Sequence, residues 1–402
     1  MKPKKIAILL THPAQYFSPF FRELAACPGV ELTVYYCSKE GHELFRDKEF
    51  GRPVKWDIPL LEGYKSVFLR NYNPFGGISH GFTGLVNIGL TRKLAKRKYD
   101  ILFVHGWGYL SSWLAFLTAI FCGIPFVVRA ESPLNQELFK SRWKLWLKKF
   151  ALGFIFKKMH AAMAIGTQNA EFYRHYGVPE TKIRLMPYAV DNTFFMASAS
   201  SLRGRKNELR KKYGLPVNKV IINFTGKLSG KKRPLDLLRA YAAVKTPDKS
   251  LVFVGDGILS RDLRLFAENE KIKDVYFAGF KNQSEIGELY ALSDIFVLPS
   301  GLGETWGLAV NEAMCFSLPV IVSDMVGCGK DLVVSGKNGF VYPMGEIDRL
   351  TDYLTELVKN PNLRERMGRH SFEMITRWSY KEDIEALLPK THQVLEAVSN
   401  DT

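Results

Sequence analysis

The chain has 402 residues, 47% of them hydrophobic and 24% charged, with a formal net charge of +16. That length exceeds one ordinary hydrophobic core and predicts two domains of roughly 150–200 residues, while the composition excludes a disordered, collagenous or disulfide-stapled protein. The charge is uneven: residues 1–190 hold 27 Lys and Arg against 13 Asp and Glu, a net +14, and the remainder holds only +2, so the first half favours an anionic partner.

In chain order, the N-terminus is basic over Lys2–Lys5, but the apolar stretch Ile6–Leu10 is too short for a signal peptide and reads as a buried strand. Further strands are predicted at Glu31–Tyr36, Ile101–Val104, Phe126–Arg129, Ala162–Ile165 and Ile183–Met186. The longest apolar stretch, Tyr109–Phe126, is interrupted by Ser111, Ser112, Thr118, Gly123 and Pro125, and predicts a core helix rather than a membrane span. After Pro187–Asp191 comes the polar, basic stretch Ser198–Lys212, ending at Gly214-Leu215-Pro216. A second set of strands follows at Val220–Thr225, Leu251–Val254, Val275–Ala278, Ile295–Leu298, Val320–Val322 and Phe340–Val341. Strands alternating with helical patterns imply βαβ units, hence an α/β protein with two doubly wound parallel sheets, divided at 190/191. Such sheets bind ligands at the carboxyl ends of their strands, in a cleft where the two domains face each other. The five cysteines form no Cys-x-x-Cys pair, which fits reduced thiols in a cytoplasmic protein.

Two loops carry chemistry. Pro299–Met314 follows a strand and opens a helix near Gly307, whose first amides would face an anion above the sheet. Glu304 precedes that helix and Glu312 lies inside it, so two carboxylates are available to paired hydroxyls. Phe224–Leu238 is the second stretch: a strand ends at Gly226, Lys227 and Lys232 follow, and Pro234 suits the first turn of the next helix. Basic groups at a strand's carboxyl end, beside a glycine, are placed to neutralise a diphosphate; taken alone, the same loop also reads as a solvated basic turn.

Together these stretches resemble the retaining GT-B glycosyltransferases of family 4. The Glu-x7-Glu element is met by Glu304 and Glu312, and the Gly-Lys-Leu loop with a second Lys five residues on by Lys227 and Lys232. The similarity extends through Val254–Gly257, Ala278–Phe280, Ser293–Ser300 and Gly336–Phe340. It implies that Gly226, Lys227 and Lys232 hold the diphosphate of a nucleotide-sugar, aided by amides of Trp306, Gly307 and Leu308. Glu304 would then contact the transferred sugar, Glu312 the ribose, and Phe280 the base pocket. His105, at the end of a strand, would face the donor sugar; a helix over residues 380–397 would cross back onto the first domain. The family's glycine pair after the first strand is replaced by Thr11-His12-Pro13-Ala14-Gln15-Tyr16, so the acceptor side rests on His12, Gln15 and Tyr16, with Arg129 and Glu131 at the end of another strand, where they either reach the cleft or form a structural ion pair. Catalysis would fall to Glu304, His105 and Lys232, with no cofactor and no metal.

The first half also contains a basic amphipathic helix. Ser141–Lys158 sets Trp143, Trp146, Leu147, Phe150 and Phe154 at helical spacing among Arg142, Lys144, Lys148, Lys149, Lys157 and Lys158. Such a helix either lies on an anionic membrane or packs on the sheet. The expected activity is therefore sugar transfer from a nucleotide-diphosphate donor to a saccharide or lipid-linked acceptor in cell-surface polysaccharide or glycolipid synthesis, in the cytoplasm or peripherally on the inner face of the plasma membrane. The alternatives are a nucleotide-sugar epimerase of the same fold, which needs no acceptor, and a non-catalytic nucleotide-sugar sensor or scaffold. No Gly-x-Gly-x-x-Gly follows the first strand, against a nicotinamide enzyme, and no nucleic-acid-binding motif accompanies the charge.

Overall fold

A computed structural model describes residues 2–42, 45–47, 52–96, 98–137, 139 and 141–388. The chain forms two compact units: Met1–Phe45, Pro59–Tyr188 and Tyr380–Thr402 in the first, and Arg46–Ile58 with Ala189–Ser379 in the second. Residues 46–58, which the sequence reading assigns to the first half, thus group with the second unit.

The strands up to the division are β1 (Lys4–Leu10), β2 (Val30–Tyr36), β3 (Phe45–Asp47), β4 (Arg52–Val54), β5 (Lys65–Phe68), β6 (Ile101–His105), β7 (Phe126–Arg129), β8 (Ala161–Ala164) and β9 (Ile183–Leu185). Seven of them make one sheet in the order β5-β2-β1-β6-β7-β8-β9, and β3 and β4 pair separately. Every neighbour in the seven-stranded sheet is parallel. The second unit adds β10 (Val220–Thr225), β11 (Lys249–Val254), β12 (Val275–Gly279), β13 (Ile295–Leu298), β14 (Val320–Ser323) and β15 (Gly339–Tyr342). These form a parallel sheet ordered β12-β11-β10-β13-β14-β15.

A parallel sheet covered by helices on both faces buries successive residues of a strand alike. β7, β8, β11, β13 and β14 are accordingly buried along their whole length. The first core joins Ala7, Leu9, Leu102, Val104 and Val128 to Phe116, Phe156 and Phe172 of the covering helices. β5 was not anticipated, because Lys65-Ser66-Val67-Phe68 is an edge strand of which no residue is fully buried.

Each sheet reverses its strand order once, between β1 and β6 in the first unit and between β10 and β13 in the second. Loops leaving neighbouring strands in opposite directions open a crevice at that point, where ligands of this architecture bind. The last described helix, Tyr380–Leu387, belongs to the first unit. Its Tyr380 hydroxyl donates to the Tyr16 carbonyl at 2.7 Å. Residues 389–397 of the anticipated helix lie outside the described residues.

Candidate active site

At the reversal point of the second sheet, the loops after β10 and β13 touch: the Gly301 N–H donates to the Lys231 carbonyl at 2.7 Å. This contact sets Lys232 Nζ 2.5 Å from Glu304 Oε2, with the two side chains 14% and 8% exposed. Burial alone would raise the Glu304 carboxyl, but the Lys232 and Lys231 ammoniums outweigh it and hold the group below the usual carboxylate range. Glu304 is therefore ionised at neutral pH, and an ion pair bridges the two loops.

Backbone geometry makes this approach possible. A Cβ at Gly255, after β11, would lie 2.0 Å from the Gly226 carbonyl oxygen, so only glycine lets the two strand ends pass. Gly307 has φ +98° and precedes the helix Leu308–Cys315. Leu308 and Gly307 thus stand at a helix N-terminus, whose dipole favours negative charge. The Trp306 ring is buried, stacked on Trp378 at 5.6 Å, and its indole N–H donates to Asn311 Oδ1 at 3.0 Å. Lys227 is partly buried in the same loop as Lys232.

Glu312 sits one turn inside the helix, where it accepts a 2.6 Å hydrogen bond from the Tyr290 hydroxyl. Burial pushes its carboxyl up to about 7, a rise that the Tyr290 hydroxyl and the Lys232 ammonium only partly offset. The two carboxylates of the Glu-x7-Glu element therefore differ in charge state, the outer one ionised by its lysines and the inner one poised near neutrality. Phe280 follows Gly279 at the end of β12, further along the same edge of the sheet.

The first unit brings His12, which follows β1, and His105, at the end of β6, to its own reversal point. His105 Nε2 lies 3.0 Å from Glu131 Oε1. Burial tends to raise the Glu131 carboxyl, yet the His105 hydrogen bond, the Tyr188 hydroxyl and the Arg129 charge bring it below its usual value. An ionised Glu131 makes His105 Nε2 the donor. The opposite ring nitrogen, Nδ1, is buried and has no partner among the described residues. His12 is lowered by burial, against the pull of Glu40, and its Nδ1 lies 2.8 Å from the Thr11 hydroxyl. Burial and the Glu131 charge push Tyr16 up to about 12, which keeps it a neutral hydroxyl. Gln15 Oε1 is buried without a partner among the described residues.

Of the two places anticipated for Arg129, the structure shows the buried ion pair. Only 2% exposed, the arginine lies 4.9 Å from the Tyr188 ring and 5.6 Å from that of Phe17. Its guanidinium donates to the Pro187 carbonyl at 3.1 Å and stands 3.8 Å from Asp383 of the last helix. It is enclosed because the helix Tyr380–Leu387 returns over the end of β7. Sequence reading also passed over Lys231, Tyr290, Tyr188 and Asp383. Lys231 was legible as part of the Lys231-Lys232-Arg233 run; the others carry no local signal.

The basic helix is Arg142–Lys158, and its tryptophan stripe faces outward. Trp143, Trp146, Phe150 and Phe154 are 62%, 68%, 80% and 50% exposed, and it is Leu152, Ile155 and Phe156 that meet the core. Lys148 is not among the outward cations: its Nζ pairs with Glu137 at 2.7 Å and lies 4.7 Å from the Phe172 ring. No helix among the described residues is long and apolar enough to cross a membrane.

Residues 205–374 match the family profile described as "Glycosyl transferases group 1", and residues 20–194 that of "Glycosyltransferase Family 4". The UDP-Gal:alpha-D-GlcNAc-diphosphoundecaprenol alpha-1,3-galactosyltransferase of Escherichia coli is 28% identical over 312 residues, which cover 74% of this chain and 78% of that protein. The alpha-D-kanosaminyltransferase of Streptomyces kanamyceticus is 26% identical over 274 residues, 65% and 68% of the two chains. Among solved structures, Anabaena Alr3699/HepE in complex with UDP and glucose superposes with a TM-score of 0.71 at 16% identity, covering 99% of this chain and 100% of that one. WaaG, a glycosyltransferase involved in lipopolysaccharide biosynthesis, gives 0.66 over 96% and 100%, also at 16% identity. At that identity the likeness speaks for the fold, and the profiles and relatives speak for the activity: the chain belongs to the GT-B group 1 glycosyltransferases and is a sugar-transferring enzyme.

Proposed function

We propose that this enzyme transfers a sugar from a nucleoside-diphosphate donor to a lipid-linked or saccharide acceptor, with retention of anomeric configuration. The second unit holds the donor and the first unit the acceptor. The observation that carries this is the buried Lys232–Glu304 pair at the sheet's reversal point, beside a helix N-terminus. An anionic diphosphate fits the Lys227 and Lys232 ammoniums and the first amides of the helix. Glu304, held ionised, accepts from a hydroxyl of the transferred sugar, and Glu312 binds the ribose. As the glycosidic bond breaks, charge grows on the leaving diphosphate, and the fixed positive groups stabilise it most at that moment. A phosphate oxygen released in this way takes the acceptor's proton. Because Lys227, Lys232 and the helix supply the positive field, transfer needs no divalent metal.

The E. coli relative's name specifies a diphosphoundecaprenol acceptor. A lipid-linked diphosphate suits the +14 half of this chain, and the exposed tryptophan stripe between Arg142, Lys144, Lys149, Lys157 and Lys158 supports a membrane contact by that half. We therefore place the enzyme at an anionic membrane, attached peripherally at its cytoplasmic face.

Glu304→Gln tests the donor site. The neutral isostere should keep the native fold, with some loss of stability from the broken ion pair, and lower turnover at least about 100-fold, the usual cost of losing one preorganised electrostatic contact. Wild-type turnover in that variant would remove Glu304 from the reaction.

A further inference from the structure

Residues 55–57, which come early in the chain, are bound to the second unit at the far end of the donor sheet. The Asp57 carboxylate accepts from the Ser284 N–H at 3.1 Å and also from the Ser284 hydroxyl. The Asn282 side chain donates to the Lys55 carbonyl at 2.9 Å. Both partners belong to the N-terminus of the helix Gln283–Ala291, which Asn282 caps, and a carboxylate is stabilised there by the helix dipole. These bonds place the Trp56 ring 6.2 Å from that of Phe280, inclined at 45°, with both side chains only partly buried.

The position on the sheet gives the aromatic pair a meaning. Gly226 and Lys227 follow β10, Gly255 follows β11 and Phe280 follows Gly279 at the end of β12, on successive neighbouring strands. Strands stand about 4.8 Å apart, so Phe280 lies roughly 10 Å along the edge from the lysine loop. That is the reach of a ribose and a base from a diphosphate bound at Lys227 and Lys232. Glu312, with hydroxyl-binding capacity, belongs to the helix at the lysine end of this path.

We infer that Trp56 is a nucleobase-binding residue of the donor site: the strap at residues 55–57, fastened by Asp57 to the helix Gln283–Ala291, completes with Phe280 an aromatic wall for the base of the nucleoside diphosphate. The inference rests on the donor reading above. Aromatic faces accept any base, because each base has a π-face. Trp56 therefore contributes affinity for the nucleoside part and none for the phosphates.

Calorimetry on the full chain tests this with three probes: uridine diphosphate, guanosine diphosphate and inorganic pyrophosphate. Trp56→Ala should weaken whichever nucleoside diphosphate the wild type binds more tightly by about 10-fold, within the range for loss of one stacked base, and leave pyrophosphate binding unchanged. Trp56→Phe should restore most of the loss. Unchanged nucleoside-diphosphate affinity in Trp56→Ala, or an equal loss for pyrophosphate, overturns the role of Trp56. Failure of the donor reading looks different: the wild type then binds neither nucleoside diphosphate, or Lys232→Ala binds it as well as the wild type, and the inference falls with it.

Discussion

Lys232 and Glu304 meet at 2.5 Å although they are 72 residues apart, because β10 and β13 are neighbours in the sheet and each residue lies in the loop that follows its strand. The pair is nearly closed to solvent, so each charge depends on the other for compensation.

Breaking one side of the pair should therefore cost stability as well as activity. Lys232→Ala leaves a buried carboxylate with only Lys231 and local dipoles, and a loss of about 3–5 kcal/mol is usual for such a break. The double variant Lys232→Ala/Glu304→Gln should be more stable than the sum of the single losses by roughly 1–3 kcal/mol. Urea denaturation of the four proteins checks it; strictly additive losses would mean that the two groups do not interact.

Lys227→Ala should weaken binding of the free nucleoside diphosphate by roughly 1.5–3 kcal/mol, the range for a charged hydrogen bond. The fold should be undisturbed, since Lys227 is only partly buried at the loop surface. Calorimetry gives the affinity. In the same series, turnover in excess chelator should match turnover without it, and a complete loss restored by magnesium would show that the lysines do not suffice.

Asp383 predicts a pH effect on stability. Burial pushes its carboxyl up to about 8, and Arg129 at 3.8 Å only partly counteracts this. The folded state therefore holds a proton that the unfolded chain releases near pH 4. Stability from this group is full below about pH 4 and is lost as pH rises towards 8, by at most about 1.4 kcal/mol per unit. Asp383→Asn removes this slope. Denaturation midpoints at pH 5 and pH 8 should differ less in the variant than in the wild type, and an equal difference would assign the pH dependence elsewhere.

The outward stripe on the helix Arg142–Lys158 predicts reversible binding to anionic vesicles. Each cation near an acidic bilayer contributes about 1 kcal/mol, and five surround the stripe. Co-sedimentation with acidic vesicles should weaken strongly within a few hundred millimolar salt as the Debye length contracts. The double variant Trp143→Ala/Trp146→Ala should lose the salt-resistant remainder that interfacial tryptophans provide. Absence of sedimentation at low salt would leave the stripe without a lipid partner.

What the sequence by itself determined was the pair of parallel sheets and the loops that carry the chemistry. Strands buried on both faces read as short continuous apolar runs, as at Val220–Thr225 and Ile295–Leu298, and glycines with lysines or carboxylates directly after them mark the strand ends. Tertiary structure decided what depends on which surface meets which. Helical period marks the Trp143–Phe154 stripe on Arg142–Lys158, but only packing on the sheet buries Leu152, Ile155 and Phe156 instead and leaves that stripe exposed. Arg129 ends one strand and Glu131 follows two residues later, yet the return of the last helix encloses the arginine while the glutamate pairs with His105. Trp56 lies 224 residues from Phe280 and joins it through bonds to Asn282 and Ser284 that no local pattern encodes. Short-range periodicity fixes elements, whereas contacts between distant elements depend on the free energy of the whole packed chain.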